Sequence, residues 1–265
     1  MSELKYKLIA FDLDDTILND EKKIPDTNRA AIERLLELGV KLAISTGRSK
    51  LSIDRYIALH KFNYAICMNG AAVYDLSTNG IIYEKQLQRD YAYTIFYESK
   101  KFGADIQFFK EQRFIVDSCK ESAEAYRKLH NLTYDIVNPE KTDLGDVYKI
   151  LAVGDNETLS RFKTHMQQMF GEDVNTFFSN PRLLEFVHKD VGKGSALRIL
   201  ARREGFDIAE TIAAGDQFND LSMLEAAGLS VAPQNAVEEI KKRVDYVCKS
   251  NNNDGILAEI LELYY

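Results

Sequence analysis

Three acidic residues follow a short apolar segment near the N-terminus, in a pattern suited to binding a metal ion and attacking phosphorus. The apolar segment Leu8–Phe11 is followed directly by Asp12, and Asp14 and Asp15 come next after one leucine. Carboxylates packed this closely repel one another, and a divalent cation held by oxygen ligands relieves that repulsion. We therefore expect Mg²⁺ to bind at this position.

Asp12 and Asp14 stand two residues apart, so on an extended strand both side chains would point to one side. One carboxylate can attack phosphorus to form an aspartyl phosphate, while a second, protonated carboxyl donates its proton to the leaving oxygen. The same acids could instead begin a turn or cap a helix. An EF-hand loop is excluded, because it requires Gly and Glu where counting from Asp12 gives Ile17 and Lys23.

Two further segments carry groups suited to holding phosphoryl oxygens. Thr46 and Gly47 stand between a second apolar segment and a helical pattern, so a hydroxyl and free N–H groups at a helix start could bind an anion. The alternative is an ordinary helix cap beside a turn. Lys193 is the first residue of another helical pattern. A cation at a helix N-terminus is repelled by the positive end of the helix macrodipole, so we expect an anion to compensate it. The alternative is a solvated surface lysine. Arg48 adds positive charge or forms a surface ion pair.

A second acidic group follows the apolar segment 211–214. Asp216 would come from a different strand than Asp12, so we expect it to be a metal ligand, with helix capping as the alternative. Asp220 is either a supporting partner of that metal site or an ordinary acid in a helix's first turn. The four histidines are scattered along the chain and give no support to a Ser-His or Cys-His relay.

The composition is that of an ordinary globular protein of one large or two modest domains, with 265 residues of which 45% are hydrophobic and 28% charged. A net charge of −7 argues against a nucleic-acid partner or an anionic-membrane surface. No window approaches the roughly 20 apolar residues of a membrane helix, and the N-terminus lacks the apolar stretch of a signal peptide. The cysteines, Cys67, Cys119 and Cys248, lack a zinc pattern, so we interpret them as reduced packing residues in a cytoplasmic protein.

Strand and helix patterns alternate at both ends of the chain. The N-terminal part predicts strands at 8–11, 40–44 and 64–68 with helices between them, then a hairpin over 71–74 and 81–83. The C-terminal part predicts a helix from Lys193, strands at 212–214, 229–231 and 246–248, a helix over 221–226 and a closing helix from Gly255. This alternation predicts an α/β fold with a doubly wound, Rossmann-like parallel sheet, whose ligand site lies at the carboxyl ends of the strands.

The middle of the chain interrupts this alternation. Helical patterns and short strand patterns occur there without the regular β/α order, the helices at 91–102, 121–131 and 159–170, and the strands at 105–109, 114–117, 148–153 and 183–187. We interpret residues 86–188 as an inserted α+β domain, and residues 1–85 and 189–265 as the catalytic core. Every residue assigned chemistry above lies in the core.

The chain resembles the haloacid dehalogenase superfamily, and within it the Cof-type phosphatases with a large inserted cap of type IIB. Four motifs occur in order: Asp12-Leu13-Asp14-Asp15-Thr16, then Ser45-Thr46-Gly47-Arg48, then Lys193, then Gly215-Asp216-Gln217-Phe218-Asn219-Asp220. The likeness spans nearly the whole chain. Asn69-Gly70-Ala71 is similar to the family's turn beside the site. Asp15 stands where many members have Gly.

The resemblance implies a role for each matching residue. Asp12 would be the nucleophile and Asp14 the general acid and base. Asp12, Asp14 and Asp216 would hold Mg²⁺. The phosphate-binding residues would be Leu13, Thr46, Gly47, Lys193 and Asn219, with Arg48, Asn69 and Asp220 as supporting residues. Residues 86–188 would form the cap.

Together these observations predict Mg²⁺-dependent hydrolysis of a small phosphate monoester, such as a sugar phosphate, through an aspartyl phosphate at Asp12. A sugar phosphomutase would use the same nucleophile but return the phosphoryl group to its substrate, which an assay for free phosphate distinguishes. A phosphate-sensing regulatory module, like a receiver domain, would show a stable Asp12 phosphate with negligible turnover. The sequence predicts a small phosphorylated metabolite as partner; it specifies neither which metabolite nor the oligomeric state.

Overall fold

Two β-sheets organise the part of the chain that the computed structural model describes, residues 4–110, 113–252 and 255–265. The strands of these residues are, in chain order, β1 (Leu8–Phe11), β2 (Lys41–Ser45), β3 (Tyr64–Cys67), β4 (Ala72–Asp75), β5 (Gly80–Glu84), β6 (Asp105–Phe109), β7 (Phe114–Val116), β8 (Tyr134–Ile136), β9 (Lys149–Val153), β10 (Val174–Asn180), β11 (Leu183–His188), β12 (Thr211–Ala214), β13 (Leu229–Pro233) and β14 (Tyr246–Cys248). The α-helices of these residues are α1 (Asp26–Glu37), α2 (Lys50–Leu59), α3 (Arg89–Phe102), α4 (Glu121–His130), α5 (Asn156–Phe170), α6 (Lys193–Glu204), α7 (Leu221–Leu224), α8 (Glu238–Lys241) and α9 (Ile256–Tyr264).

The first of two compact units comprises Met1–Gly47, Asp54–Tyr83 and Gly192–Tyr265. Its sheet has the strand order β14-β13-β12-β1-β2-β3-β4-β5. The strands from β14 through β3 are parallel, and β4 is antiparallel to β3. The chain builds the sheet outward from β1 to one side and then returns to build the other side. The predicted doubly wound parallel sheet is therefore confirmed.

The central strands of this sheet are buried on both faces, which is why they read as unbroken apolar segments. All four residues of β1 are buried. Leu8 and Ala10 belong to an apolar cluster that includes Leu197 of α6. Their neighbours Ile9 and Phe11 point to the other face because side chains alternate along a strand. Among the helices of this unit, α1 packs against α9.

The second unit comprises Arg48–Ile53 and Glu84–Val191. Its sheet has the order β10-β11-β9-β6-β7-β8, antiparallel except for the parallel pair β7 and β8. Apolar side chains of α3 and α5 pack on one face of this sheet. The unit is an α+β arrangement whose long segment begins at Glu84 and ends at Val191, where the sequence placed an insert over 86–188. Its role as a cap remains a prediction.

Several elements differ from their sequence patterns. Strands β8 and β10 had no prediction, because both lie at sheet edges and most of their side chains are only partly buried, so neither shows a clean apolar alternation. Helix α7 ends at Leu224, earlier than its apolar pattern suggested.

Cys67 and Cys248 are buried as expected, whereas Cys119 is exposed and so does not fill a core position. Across the described residues, no helix combines the length and the hydropathy that crossing a membrane requires.

Candidate active site

The predicted chemical residues of the core follow the carboxyl ends of neighbouring strands. Asp12 follows β1, Thr46 follows β2 and Asp216 comes two residues after β12. Strand β1 lies between β2 and β12, so this is the point where the strand order changes direction. In an open parallel sheet a crevice forms there and binds ligands. The backbone N–H of Asp12 donates to the carbonyl of Ala214 at 2.9 Å, which ties the end of β1 to that of β12.

Three buried carboxylates meet at this edge. Asp12, Asp216 and Asp220 each offer an oxygen atom, and these oxygens lie within 4.8 Å of one another. The Asp220 carboxylate is held in place because it accepts hydrogen bonds from the backbone N–H groups of Asp216 and Gln217, both at 3.0 Å. The Thr16 hydroxyl donates to Asp216 at 2.7 Å. The acids are therefore oriented by the surrounding structure before any ligand binds.

Lys193 is the buried cation of the cluster. It is the first residue of α6, as the sequence predicted, and its side chain is 0% exposed. Its ammonium donates to Asp12 at 2.6 Å and to Asp220 at 2.5 Å. The surface alternative for this lysine is therefore wrong. The compensating anions at the helix start are these two carboxylates.

The electrostatics of the cluster show a surplus of negative charge. Burial raises the pKa of Asp12 to about 7, with Asp220 and Asp14 adding to the rise and Lys193 opposing it. Burial, together with the charges of Asp220 and Asp12, also raises the pKa of Asp216 well above its usual value. Burial lowers the pKa of Lys193, but its two carboxylate neighbours outweigh that effect and raise it overall. One ammonium thus compensates three clustered carboxylates.

The donor set fits a hard divalent cation. The clustered side chains supply only oxygen atoms, which Mg²⁺ and Ca²⁺ prefer over nitrogen or sulfur. An added charge of +2 would offset both the burial of these carboxylates and their mutual repulsion, which together raise the pKa values of Asp12 and Asp216. The residues best placed to hold the ion are Asp12, Asp216 and Asp220. Asp14, which the sequence assigned to the metal site, is not a member of this cluster.

Asp14 and Asp15 lie in a tight turn over Leu13–Ile17, because β1 already ends at Phe11. The picture of two acids on one side of an extended strand therefore does not describe this segment. The Asp14 side chain is 33% exposed and pairs with Lys22 at 3.4 Å, while Asp15 pairs with the same ammonium at 2.9 Å. Asp15 has a left-handed backbone with φ of 60°, which aspartate tolerates better than most residues other than glycine. This conformation explains why glycine suits the position.

The predicted phosphate-binding residues occupy two loops of the first unit. Thr46 is buried and its N–H donates to Ile66 at 2.8 Å. Gly47 packs against the Asn69 side chain so closely that an added Cβ would lie 3.2 Å from its Oδ1. The Asn219 amide donates to that same oxygen at 3.1 Å. Thus Thr46, Gly47, Asn69 and Asn219 form one connected group.

Three further observations concern the segments that carry the predicted phosphate-binding residues. Helix α2 begins at Lys50, so Thr46 and Gly47 stand in the preceding loop rather than in a helical first turn. Leu13 is fully buried. Arg48 is buried and belongs to the second unit.

Sequence reasoning missed Thr16 and Lys22, and it left Asp220 open. Thr16 stands inside the first motif, but its hydrogen bond joins it to Asp216, 200 residues away, and no pattern in the sequence around Thr16 indicates that partner. Lys22 contacts the acids of the first motif only because the chain folds back after residue 17. Asp220 is buried and shared between Lys193 and two backbone N–H groups, so it belongs to the cluster rather than to an exposed first turn.

Comparison with known proteins places the chain in a family. The haloacid dehalogenase-like hydrolase family matches residues 9–260. The "Putative phosphatase YxeH" of Bacillus subtilis is 31% identical, over 97% of this chain and 98% of that protein. An Escherichia coli protein named HMP-PP phosphatase is 26% identical, over 91% of this chain and 89% of that protein. The crystal structure of TM0651 from Thermotoga maritima superposes with a TM-score of 0.81 at 31% identity, covering 97% of both chains.

The chain therefore belongs to the haloacid dehalogenase-like hydrolases. The family predicted from the four motifs is confirmed, as is the prediction that this protein is an enzyme of the phosphatase class. A haloacid dehalogenase-like hydrolase from Bacteroides thetaiotaomicron shares the fold over 98% of this chain, with a TM-score of 0.86 and 28% identity.

Proposed function

We propose that this enzyme hydrolyses a small phosphate monoester in two steps through an aspartyl phosphate on Asp12, with Mg²⁺ as cofactor. The single observation that carries the proposal is the position of the Asp12 carboxylate, which lies buried at a strand end against Lys193 and beside two further acids. A carboxylate that is desolvated and oriented in this way is a suitable nucleophile toward phosphorus.

The proposed first step is attack of an Asp12 oxygen on phosphorus, which forms the acyl phosphate bond and breaks the bond to the leaving oxygen. Asp14 gives its proton to that leaving oxygen. In the second step a water molecule attacks the phosphorus, Asp14 takes a proton from it, and Asp12 is released with inorganic phosphate. Because the Asp14 side chain is one-third exposed, it can exchange protons with solvent between the two steps.

The remaining residues of the core would bind and orient the phosphoryl group. Lys193 is positioned to neutralise charge on the phosphoryl oxygens as they move toward Asp12. Thr46 and Asn219 would donate hydrogen bonds to the same oxygens. Mg²⁺ held by the acidic cluster would act as a Lewis acid that stabilises the transferring group.

We propose a small phosphorylated metabolite as the substrate class, and residues 86–188 as a cap that sets the choice among metabolites. The relatives named HMP-PP phosphatase support a phosphorylated small molecule. Binding energy from the non-reacting part of such a substrate would be the source of discrimination. We propose no nucleic-acid partner, because a protein with a net charge of −7 is repelled by the phosphate backbone.

The test is hydrolysis of p-nitrophenyl phosphate and of a panel of phosphorylated metabolites by wild type and by Asp12→Asn. The variant keeps the size of the side chain but removes the nucleophile and a proposed metal ligand, so kcat/KM should fall by several powers of ten. Each tenfold loss corresponds to about 1.4 kcal/mol of transition-state stabilisation. Asp20→Asn makes the same chemical change at an exposed position and should leave the rate unchanged. Near wild-type turnover by Asp12→Asn would refute the covalent mechanism.

A further inference from the structure

The turn after β3 has an unusual backbone for a buried segment. Met68, Asn69 and Gly70 have φ values of 51°, 58° and 99°, so three successive residues adopt a left-handed conformation. All three are buried. Asparagine and glycine adopt this conformation readily, but methionine does so only at a cost in free energy. Such strain persists where the surrounding contacts over-determine the backbone, and it clusters at functional sites.

The side chain of Asn69 contacts two separate loops that carry proposed phosphate-binding residues. Its Oδ1 accepts the amide N–H of Asn219 at 3.1 Å. The same amide group packs on Gly47, where an added Cβ would lie 3.2 Å from Oδ1 and 3.4 Å from Nδ2. The backbone N–H of Asn69 donates to the carbonyl of Thr46 at 3.0 Å. Asn69 therefore joins the loop after β2 to the turn after β12.

The same turn also abuts the start of α6. An added Cβ at Gly70 would lie 2.3 Å from the carbonyl oxygen of Gly192, the residue that caps α6 immediately before Lys193. Backbone at this separation leaves room only for glycine. The left-handed turn thus contacts three of the segments that supply the proposed phosphoryl-binding groups.

We propose that Asn69 is a positioning residue that sets the orientation of the Asn219 amide and the spacing of Asn219 from Thr46 and Gly47. This inference rests on the proposed phosphatase function. Because Asn69 Oδ1 accepts one N–H of Asn219, the Asn219 amide is held in one of its two flipped orientations. Without that acceptor the amide can rotate, and its donors no longer point in a single direction toward a phosphoryl group. The left-handed backbone is what brings the Asn69 side chain between the two loops.

The test is a double-mutant cycle on p-nitrophenyl phosphate hydrolysis with Asn69→Gly and Asn219→Ala. Glycine adopts the left-handed conformation without strain, so Asn69→Gly removes the amide and preserves the turn. We expect kcat/KM to fall about tenfold or more in the wild-type background, and less than about threefold in the Asn219→Ala background, because residues that act through one another are not additive. Equal losses in both backgrounds, or no loss at all, would overturn the proposal.

The control is Asn79→Gly, which makes the same change at an exposed left-handed asparagine of the same unit, with φ of 56°. It should leave both the rate and the midpoint of thermal unfolding unchanged. Asp12→Asn is measured alongside. If wild type is inactive toward phosphate esters, or if Asp12→Asn remains active, the proposed function fails. If those two behave as expected and Asn69→Gly is as active as wild type, only the role of Asn69 fails.

A second variant keeps the test decisive should Asn69→Gly unfold. Asn69→Asp retains an oxygen that accepts the Asn219 N–H, and aspartate tolerates the left-handed backbone. Its kcat should stay within about threefold of wild type, while KM should rise because the added negative charge repels a phosphate ester. A loss of kcat at unchanged KM would show that the acceptor oxygen does not orient Asn219, and would overturn the proposal.

Discussion

Replacing Lys193 by methionine should impair both stability and turnover, because this lysine is a fully buried cation shared between two carboxylates. Its ammonium lies 2.6 Å from Asp12 and 2.5 Å from Asp220. Methionine keeps much of the apolar stem but removes the charge. The two carboxylates then lose their common partner while remaining buried.

The size of the stability loss follows from that burial. Removing one partner of a buried ion pair costs roughly 3–5 kcal/mol, because the other partner is left as an uncompensated charge. Protonation of Asp12 would remove its charge and so reduce this loss, and its pKa is already raised to about 7 with Lys193 present. Without Lys193, which opposes that rise, the pKa of Asp12 should be higher still. We therefore expect the full loss only where Asp12 is charged.

The pH dependence has a definite sign in chelator-treated protein. A carboxyl whose pKa is higher in the folded state than in the unfolded state binds more protons when folded, so the free energy of unfolding falls as pH rises between the two values. For Asp12 that window runs from the ordinary 3.8 to about 7 in wild type, and it extends further upward in Lys193→Met. The variant should therefore be closer to wild type at pH 5.5 than at pH 8.

The assay is denaturant unfolding at pH 5.5 and pH 8 with excess EDTA, repeated with Mg²⁺, together with phosphate release from p-nitrophenyl phosphate. Bound Mg²⁺ should restore part of the lost stability, because it supplies positive charge to the same carboxylates. Turnover should stay about 10²–10³-fold below wild type even with Mg²⁺, the usual effect of removing a group that stabilises the transition state.

Lys7→Met is the matched control for stability, because Lys7 pairs with Glu210 at 2.5 Å with both side chains about a quarter to a third exposed. It should change the free energy of unfolding far less, as exposed ion pairs contribute little. Equal stability of Lys193→Met and wild type at pH 8 in EDTA would refute the expected cost of leaving these carboxylates buried without their cation. An unchanged kcat/KM would refute the proposed contact between Lys193 and the phosphoryl group.

Three further predictions concern the metal and the turn backbones. Excess EDTA should abolish turnover and Mg²⁺ should restore it, while Ca²⁺, which is larger and takes more ligands, should restore it poorly; full activity in metal-stripped protein would contradict this. Asp15→Gly should be more stable than Asp15→Ala by about 1 kcal/mol in denaturant unfolding, because only glycine is unstrained at this φ of 60°; equal stabilities would contradict it. Gly70→Ala should lose about 2–4 kcal/mol of stability, since its Cβ would meet the Gly192 carbonyl at 2.3 Å, whereas Gly39→Ala, with φ of 88° and open space around it, should lose only about 1 kcal/mol.

The local pattern of the sequence was enough to predict the core fold and to place the ends of its strands within about two residues. Segments such as Leu8–Phe11 and residues 212–214 are uniformly apolar because both faces of the sheet are covered, and acidic residues follow each segment within two positions. Parallel strands present their carboxyl ends at one edge, so placing Asp12 and Asp216 at the same edge of the sheet required no tertiary information. That their strands, β1 and β12, are neighbours was seen only in the structure. Edge strands such as β10 lack this signal because they are only half covered.

The family was likewise determined by the sequence, through four motifs in order, and the match over residues 9–260 confirms it. Motif spacing reports which residue types occur, but not which atoms meet. The resemblance assigned Asp12, Asp14 and Asp216 to the metal site, and the structure shows that the buried carboxylate of Asp220 also lies beside those of Asp12 and Asp216. The Asp14 side chain, which lies in the turn after Phe11, pairs with Lys22.

Only the tertiary structure decided the burial of Lys193 and the contacts of Asn69. Whether a lysine at a helix start is solvated or enclosed depends on what packs over it, and the carboxylates that enclose Lys193 come from positions 181 and 27 residues away. The left-handed turn at Met68 and Asn69 is set by the segments packed around it, among them Gly47 and Gly192, since methionine has no local preference for that conformation. Local preference and apolar pattern thus determine which elements form and where they end, while the contacts between distant segments determine which side chains share the site.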